Sequence, residues 1–171
     1  MTPEPIKNIR LLLLDVDGVL TDGSIIYDDD GRQTKVFNSK DGLGLRLVMD
    51  AGIGVGIVTG RSAMALKHRC ENLGIDLIFD AVADKAAVVA EISRSTGIAP
   101  EAMAFVGDDL PDLPIMARVG LAVAVADAHP LVAARADLVT EACGGRGAVR
   151  EVCERLLRAQ GLWAAVEERF R

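Results

Sequence analysis

The chain has 171 residues, half of them hydrophobic and 26% charged, the balance of one globular domain. Nineteen basic against 25 acidic residues give a net charge of −6, which excludes a broad nucleic-acid surface. An anionic substrate must then be drawn in by local cations or a metal, and aromatic residues at 4% are too few for base-stacking platforms.

Leu11 to Leu14 is wholly apolar and ends at Asp15, the pattern of a strand buried on both faces. From Ser24 to Phe37 two β-prone runs, SIIY and TKVF, flank Asp28-Asp29-Asp30-Gly31, which reads as a hairpin around a solvated turn rather than a metal site. Asp41 to Met49 is expected to be a helix, Ile53 to Val58 a second buried strand, and Ser62 to Leu73 a helix capped by Ser62 and stopped at Gly74. Leu77–Phe79 follows as a short strand, then a helix from the cap Asp84 to about Thr96, closed by Gly97 and Pro100. Met103–Val106 is the next strand, Pro111–Arg118 a short helix, Leu121–Val125 a strand and Leu138–Val139 a shorter one. Val149, Val152, Cys153, Leu156 and Leu157 share one face of a last helix, Gly147–Ala159. The tail, 161–171, is expected to be mobile unless a partner orders it.

Alternating strands and helices predict an α/β fold, a central parallel sheet with helices on both sides. The segment 24–37 is too small to be a second domain, so residues 1–171 read as one domain. No apolar run approaches the ~20 residues that span a bilayer. The N-terminal MTPEPIKNIR has no apolar core and does not read as a secretory leader. Cys70, Cys143 and Cys153 are an odd count without metal-ligand spacing, so they read as reduced thiols of a cytoplasmic protein.

In open α/β sheets ligands bind beyond the carboxyl ends of the strands. Polar clusters fall at such ends: Asp15-Val-Asp17-Gly18, Thr59-Gly60-Arg61, and Gly107-Asp108-Asp109-Leu-Pro-Asp112, with Lys85 opening a helix after the third strand. Asp15 and Asp17 repel one another when both ionise, and a divalent cation relieves that repulsion. With Asp108 as a further oxygen ligand and no histidine or cysteine nearby, Mg²⁺ is the expected ion. Asp15 is then a candidate nucleophile, and Asp17 a candidate acid that protonates the leaving oxygen and later activates water. Thr59 and Lys85 suit the oxygens of a transferring phosphoryl group.

These motifs resemble those of the haloacid dehalogenase (HAD) superfamily of phosphatases and phosphotransferases. DVDGVLTDG at Asp15–Gly23 matches its first motif, Thr59 its second, Lys85 its third and GDDLPD at Gly107–Asp112 its fourth. With FNSKDGLGLR, VTGRSA, VAVADAHP and GGRGAVREVC, the chain is similar to the 3-deoxy-D-manno-octulosonate 8-phosphate (KDO 8-phosphate) phosphatases of lipopolysaccharide precursor synthesis. Phosphatases for nine-carbon acid sugars share much of the pattern, and a catalytically silent HAD-like oligomerisation module is the alternative of another class.

The resemblance implies a Rossmann-like HAD fold, capless with a small protruding β-hairpin, and hydrolysis through an aspartyl-phosphate. It implies that Asp15, Asp108 and the Asp17 backbone carbonyl hold Mg²⁺, while Asp109 and Asp112 orient ligands or waters. The Gly60 amide and Thr59 would bind the phosphoryl group, and Lys85 would neutralise it. Asn38, Ser39, Lys40, Asp41, Gly42, Arg46, Arg61 and Arg69 match positions that contact the sugar acid, and arginine forks suit its carboxylate. Relatives often carry an arginine where Lys40 stands and a lysine where Ser62 stands. Family members form homotetramers with hairpins packed together, and Ile25, Ile26, Val36 and Phe37 would suit such packing. Arg146 reads as a candidate for substrate or subunit contact. His68 reads as a surface residue and His129 as a local cap, neither catalytic.

Overall fold

The structure, a computed structural model, describes residues 4–171. Residues 1–3, part of the stretch read as no secretory leader, lie outside the described residues. After a 3-10 turn at Glu4–Asn8 come β1 (Leu11–Leu14), β2 (Ile26–Tyr27), β3 (Gln33–Thr34), α1 (Ser39–Asp50), β4 (Gly54–Val58), α2 (Met64–Leu73) and β5 (Leu77–Phe79). Then follow α3 (Lys85–Thr96), β6 (Met103–Gly107), α4 (Leu113–Met116), β7 (Leu121–Ala124), α5 (Pro130–Ala133), β8 (Leu138–Val139), α6 (Ala148–Ala159) and α7 (Trp163–Glu168). Six strands form one sheet in the order β5-β4-β1-β6-β7-β8, and every pairing in it is parallel.

The central strands β1, β6 and β7 are buried on both faces because they are apolar throughout, while the edge strands β5 and β8 are partly exposed. Leu12, Leu14, Ile57 and Val106 pack under α1, α2 and α6 on one side. Leu11, Leu13, Val58 and Phe105 pack under α3 and α4 on the other. Each such side chain removed from water contributes roughly 1.5–3 kcal/mol. The chain runs from β1 outward to β4 and β5, then crosses back to β6 on the other flank of β1. That reversal leaves a crevice at the carboxyl end of β1, where Asp15 and Asp17 follow the strand.

Helix ends explain most boundaries. Asn38 caps α1, its Oδ1 accepting from the amides of Lys40 (2.8 Å) and Asp41 (3.4 Å), so the helix starts earlier than Asp41. Asp84 caps α3, and Gly97 closes it in the left-handed conformation. The expected cap Ser62 does not cap α2. The helix starts at Met64 after Ala63, which offers no side-chain acceptor, and Ser62 Oγ instead donates to Asp80 Oδ2 at 2.5 Å. The span Pro111–Arg118 divides into a 3-10 turn at Leu110–Asp112 and α4, because prolines follow both Leu110 and Leu113.

The hairpin is short, pairing Ile26 with Thr34 and Tyr27 with Gln33. Asp28 Oδ1 accepts from the amides of Asp30 and Arg32, so the aspartate run is a turn. The tail is not the mobile terminus expected in the absence of a partner. It carries α7, with Val166 buried and the Trp163 ring 4.2 Å from the Arg158 guanidinium carbon. A cation over an indole face and an apolar anchor together hold it to α6.

Asp41 ties α1 to α6. It is 1% exposed and accepts from the amides of Arg150 (2.8 Å) and Gly147 (3.4 Å), at the start of α6. Burial raises its pKa, while those two amides pull the other way. Asp41→Ala is therefore expected to lower the stability of the fold by ~1–3 kcal/mol, read as a lower urea midpoint at unchanged slope.

Candidate active site

The first loop is held in shape by its own polar groups. Thr21 is buried; its hydroxyl donates to the Val16 carbonyl and accepts from the amides of Gly18 and Gly23. Gly18 has a φ of +87°, and a Cβ there would stand 2.0 Å from Asp108 Oδ2. Only glycine lets the Asp108 carboxylate approach so closely. The loop at Gly144-Gly145 buttresses the same turn from behind. A Cβ on Gly144 would lie 1.7 Å from the Gly18 carbonyl oxygen, and the Gly145 amide donates to the Val19 carbonyl at 2.8 Å.

Carboxylates from two strand ends meet at this point. Ligand oxygens of Asp15, Asp108 and Asp112 all lie within 4.8 Å of one another. Lys85 stands between them, its Nζ 3.1 Å from Asp15 Oδ2 and 2.6 Å from Asp112 Oδ1. Asp112 Oδ2 also accepts from the amides of Asp108 (2.9 Å) and Asp109 (3.3 Å). Protein donors thus occupy both Asp112 oxygens, which suits a supporting carboxylate, whereas the Asp108 carboxylate has no such set among the described residues.

One ammonium does not balance three carboxylates. Burial, with Asp112 nearby, raises the Asp15 pKa to about 6 even though Lys85 opposes the rise. Burial, then Asp112, Asp15 and Asp109, raises Asp108 to about 7. Burial alone would depress the Lys85 ammonium, but Asp15 and Asp112 outweigh it and raise its pKa. The excess negative charge and the all-oxygen donor set fit a hard divalent cation.

A cavity of about 510 Å³ opens on this cluster, lined by Asp15, Asp17, Thr59, Gly60, Arg61, Lys85, Asp108, Asp109 and Asp112 among others. Thr59 is buried at the end of β4 and its hydroxyl accepts from the Arg61 amide at 3.4 Å. The Asp17 carboxylate is not part of the trio. It is gripped by the Lys35 ammonium and approached by Arg61 Nε at 3.7 Å.

The other expected sugar-acid residues gather elsewhere on the chain. Ser39, Gly42, Arg46 and Arg69 line a separate recess of about 150 Å³. Arg69 donates to the Asn38 carbonyl at 3.3 Å, and Arg46 to the Asn72 carbonyl. Lys40 is exposed beside them. Asn38 and Asp41 are occupied as helix caps. Arg146 reaches Asp22 of its own chain at 3.5 Å. His68 is exposed, and His129 Nδ1 accepts from the Leu131 amide as a local cap. Lys35 escaped the sequence reading. The signal was available: in Thr34-Lys35-Val36-Phe37, strand alternation places Lys35 on the same face as the core-facing Phe37.

Residues 75–149 match the haloacid dehalogenase-like hydrolases. Over 155 residues the chain is 52% identical to the 3-deoxy-D-manno-octulosonate 8-phosphate phosphatase of Escherichia coli K12, covering 91% of this chain and 82% of that protein. This chain belongs to the KDO 8-phosphate phosphatase family of HAD-like hydrolases. Solved members share its fold. The Moraxella catarrhalis phosphatase, crystallised with magnesium, phosphate and KDO, superposes with a TM-score of 0.96 at 39% identity over 98% of this chain and 97% of that one. The Yersinia pestis phosphatase gives a TM-score of 0.92 at 46% identity over 94% and 87% of the two chains.

The HAD-family carboxylates make cation binding pH-dependent in a definite direction. Burial and the neighbouring carboxylates push Asp15 and Asp108 up from the ordinary 3.8 to about 6 and about 7 in the fold. The fold therefore holds extra protons between pH 4 and 7, and its stability without metal falls as pH rises through that window. A divalent cation competes with those protons. Thermal melting with and without Mg²⁺ is expected to show a small stabilisation at pH 5 and a larger one at pH 8.

Proposed function

We propose that this chain is a magnesium-dependent phosphomonoesterase that hydrolyses 3-deoxy-D-manno-octulosonate 8-phosphate to KDO and inorganic phosphate, in lipopolysaccharide precursor synthesis. The observation that carries the reading is the convergence of Asp15 from the end of β1, Asp108 and Asp112 from the end of β6 and Lys85 from the start of α3, beside Thr59 and Asp17, in a family member. The whole chain serves as one capless phosphatase domain.

The chemistry follows from the placement of these groups. A carboxylate oxygen of Asp15 attacks phosphorus, and the bond to the sugar oxygen breaks. Asp17 gives its proton to that leaving oxygen. Thr59 and the Gly60 amide donate to the phosphoryl oxygens, and Lys85 offsets their charge. Water then attacks the aspartyl-phosphate, Asp17 takes back a proton, and phosphate leaves with Asp15 restored. Asp15, Asp108 and the Asp17 carbonyl would hold Mg²⁺, which would supply positive charge to the phosphoryl oxygens.

Asp15→Asn is expected to drop KDO 8-phosphate turnover to background without loss of the fold. EDTA is expected to abolish wild-type activity and Mg²⁺ to restore it. Phosphate release across a panel of acid sugar phosphates should rank the eight-carbon compound first by kcat/KM. A nine-carbon compound ranking first, or activity retained by Asp15→Asn, would contradict the reading.

The assembly proposed is a homotetramer. Ile25, Ile26, Tyr27 and Val36 are 46%, 46%, 57% and 67% exposed on one small hairpin, an apolar patch that a partner copy would cover. Phe37 instead packs against its own core. Asn38, Ser39, Lys40, Arg46 and Arg69 do not line the cavity of their own chain, so their role as sugar-acid ligands needs a neighbouring copy to bring them to it. Asp41 and Gly42 would act there only by holding that surface in shape, since both are buried. A cytoplasmic location suits the free cysteines at 70, 143 and 153. No helix of the described residues is long and apolar enough to cross a membrane. Light scattering should give a mass near four times the 18.1 kDa of one chain, lowered by Ile26→Asp or Val36→Asp. A wild-type species of 18.1 kDa would contradict it.

A further inference from the structure

Lys35 is the one lysine of the hairpin, and it does not behave as a hairpin lysine. Its side chain is 1% exposed, while Val36 beside it is 67% exposed. Exposure alternates along 34–37, beyond the end of β3 at Thr34, with Lys35 turned inward and Val36 outward. The buried ammonium meets the Asp17 carboxylate, itself 18% exposed. Burying an ammonium is costly unless it is paired, so its partner is fixed as firmly as it is.

The pairing answers a problem that the site poses. Asp15, Asp108 and Asp112 already crowd one point, and Asp17 lies only two residues from Asp15. A fourth flexible carboxylate beside a cation site would be drawn in as a ligand, and a carboxylate bound there is lost for proton transfer. Lys35 holds one Asp17 oxygen, and Arg61 Nε stands 3.7 Å from the other. Arg61 is tied in turn to the hairpin, its Nη2 donating to the Tyr27 hydroxyl at 2.8 Å.

We propose that Lys35 is a positioning residue for the phosphatase reaction: it holds the Asp17 carboxylate on the leaving-group side of the site, apart from the cation ligands. The inference rests on the phosphatase reading above. It assigns the hairpin a part in proton delivery to the leaving oxygen, in addition to subunit packing: the Lys35 ammonium donates to Asp17 Oδ1 whether the carboxyl is ionised or protonated, so the proton bound for the leaving oxygen is carried on Oδ2. Lys35 touches neither the phosphoryl group nor the cation ligands of the trio; it acts through Asp17.

The test uses the leaving group. A sugar alkoxide must be protonated as it departs, whereas p-nitrophenolate leaves without a proton. The kcat/KM value reports steps up to formation of the aspartyl-phosphate, so later water activation does not enter it. Lys35→Met keeps the length and apolar stem and removes the charge. It is expected to cut kcat/KM on KDO 8-phosphate by ~10–100-fold and on p-nitrophenyl phosphate by less than ~3-fold, with Lys35→Arg recovering part of the loss. In an Asp17→Asn background, Lys35→Met should cost little more on KDO 8-phosphate. Equal losses on both substrates, no loss on either, or full additivity with Asp17→Asn would overturn the role of Lys35. Retained p-nitrophenyl phosphate turnover serves as the check on folding. A Lys35→Met protein that does not fold passes the decision to Lys35→Arg, where a selective loss on the sugar phosphate supports the role and equal effects overturn it. Wild-type protein inactive on both substrates with Mg²⁺ would overturn the phosphatase reading itself.

Discussion

Like charges forced together at the end of β1 are the constraint on which the site depends. Asp15, Asp108 and Asp112 share one point with a single ammonium, Lys85, and the low dielectric around them amplifies their repulsion. The fold pays for this crowding with an apolar sheet whose leucine, isoleucine and valine strands are closed on both faces. Nothing less rigid would keep three carboxylates from swinging apart. Gly18 and the Gly144-Gly145 loop serve the same end, since side chains there would push the first loop off Asp108 or off its own support.

Rigid and peripheral groups divide the work. Asp15, Thr59, Lys85 and Asp108 sit on strand ends or a helix start, where backbone pairing fixes them. Of the arginines expected at the sugar acid, Arg46 and Arg69 lie on α1 and α2, beyond the cavity, while Arg61 lines it. Catalysis of phosphoryl transfer needs fixed charges, while choice among sugar acids can be carried by residues brought in from outside. The hairpin joins the two regimes. Its outer face is apolar, and its inner face reaches Asp17 through Lys35 and Arg61 through Tyr27.

The parallel sheet was legible in the sequence because β1, β4 and β6 are short apolar runs bounded by polar turns. The caps Asp84 and Gly97 were legible because capping acts between near neighbours in the chain. What could not be read depended on distant partners. The hold of Asp41 on the amides of Arg150 and Gly147, more than a hundred residues further on, had no signal near it in the chain. The tail read as mobile because Val166 and Trp163 are sparse anchors, and their packing on α6 exists only once α6 is in place. Ser62 looked like a helix cap, yet Asp80 from the next strand end competes for its hydroxyl. Lys35 was obscured by its charge, since a lysine beside a turn is ordinarily read as solvated.

The central claim is that Asp15 receives the phosphoryl group. Acid-quenching the enzyme during turnover and reducing with borohydride converts an aspartyl-phosphate to homoserine, which mass spectrometry locates by residue. Homoserine at position 15, formed only when substrate and Mg²⁺ are both present, is the predicted result. Homoserine at another carboxylate, or steady phosphate release with no reducible acyl-phosphate at any time point, would contradict it.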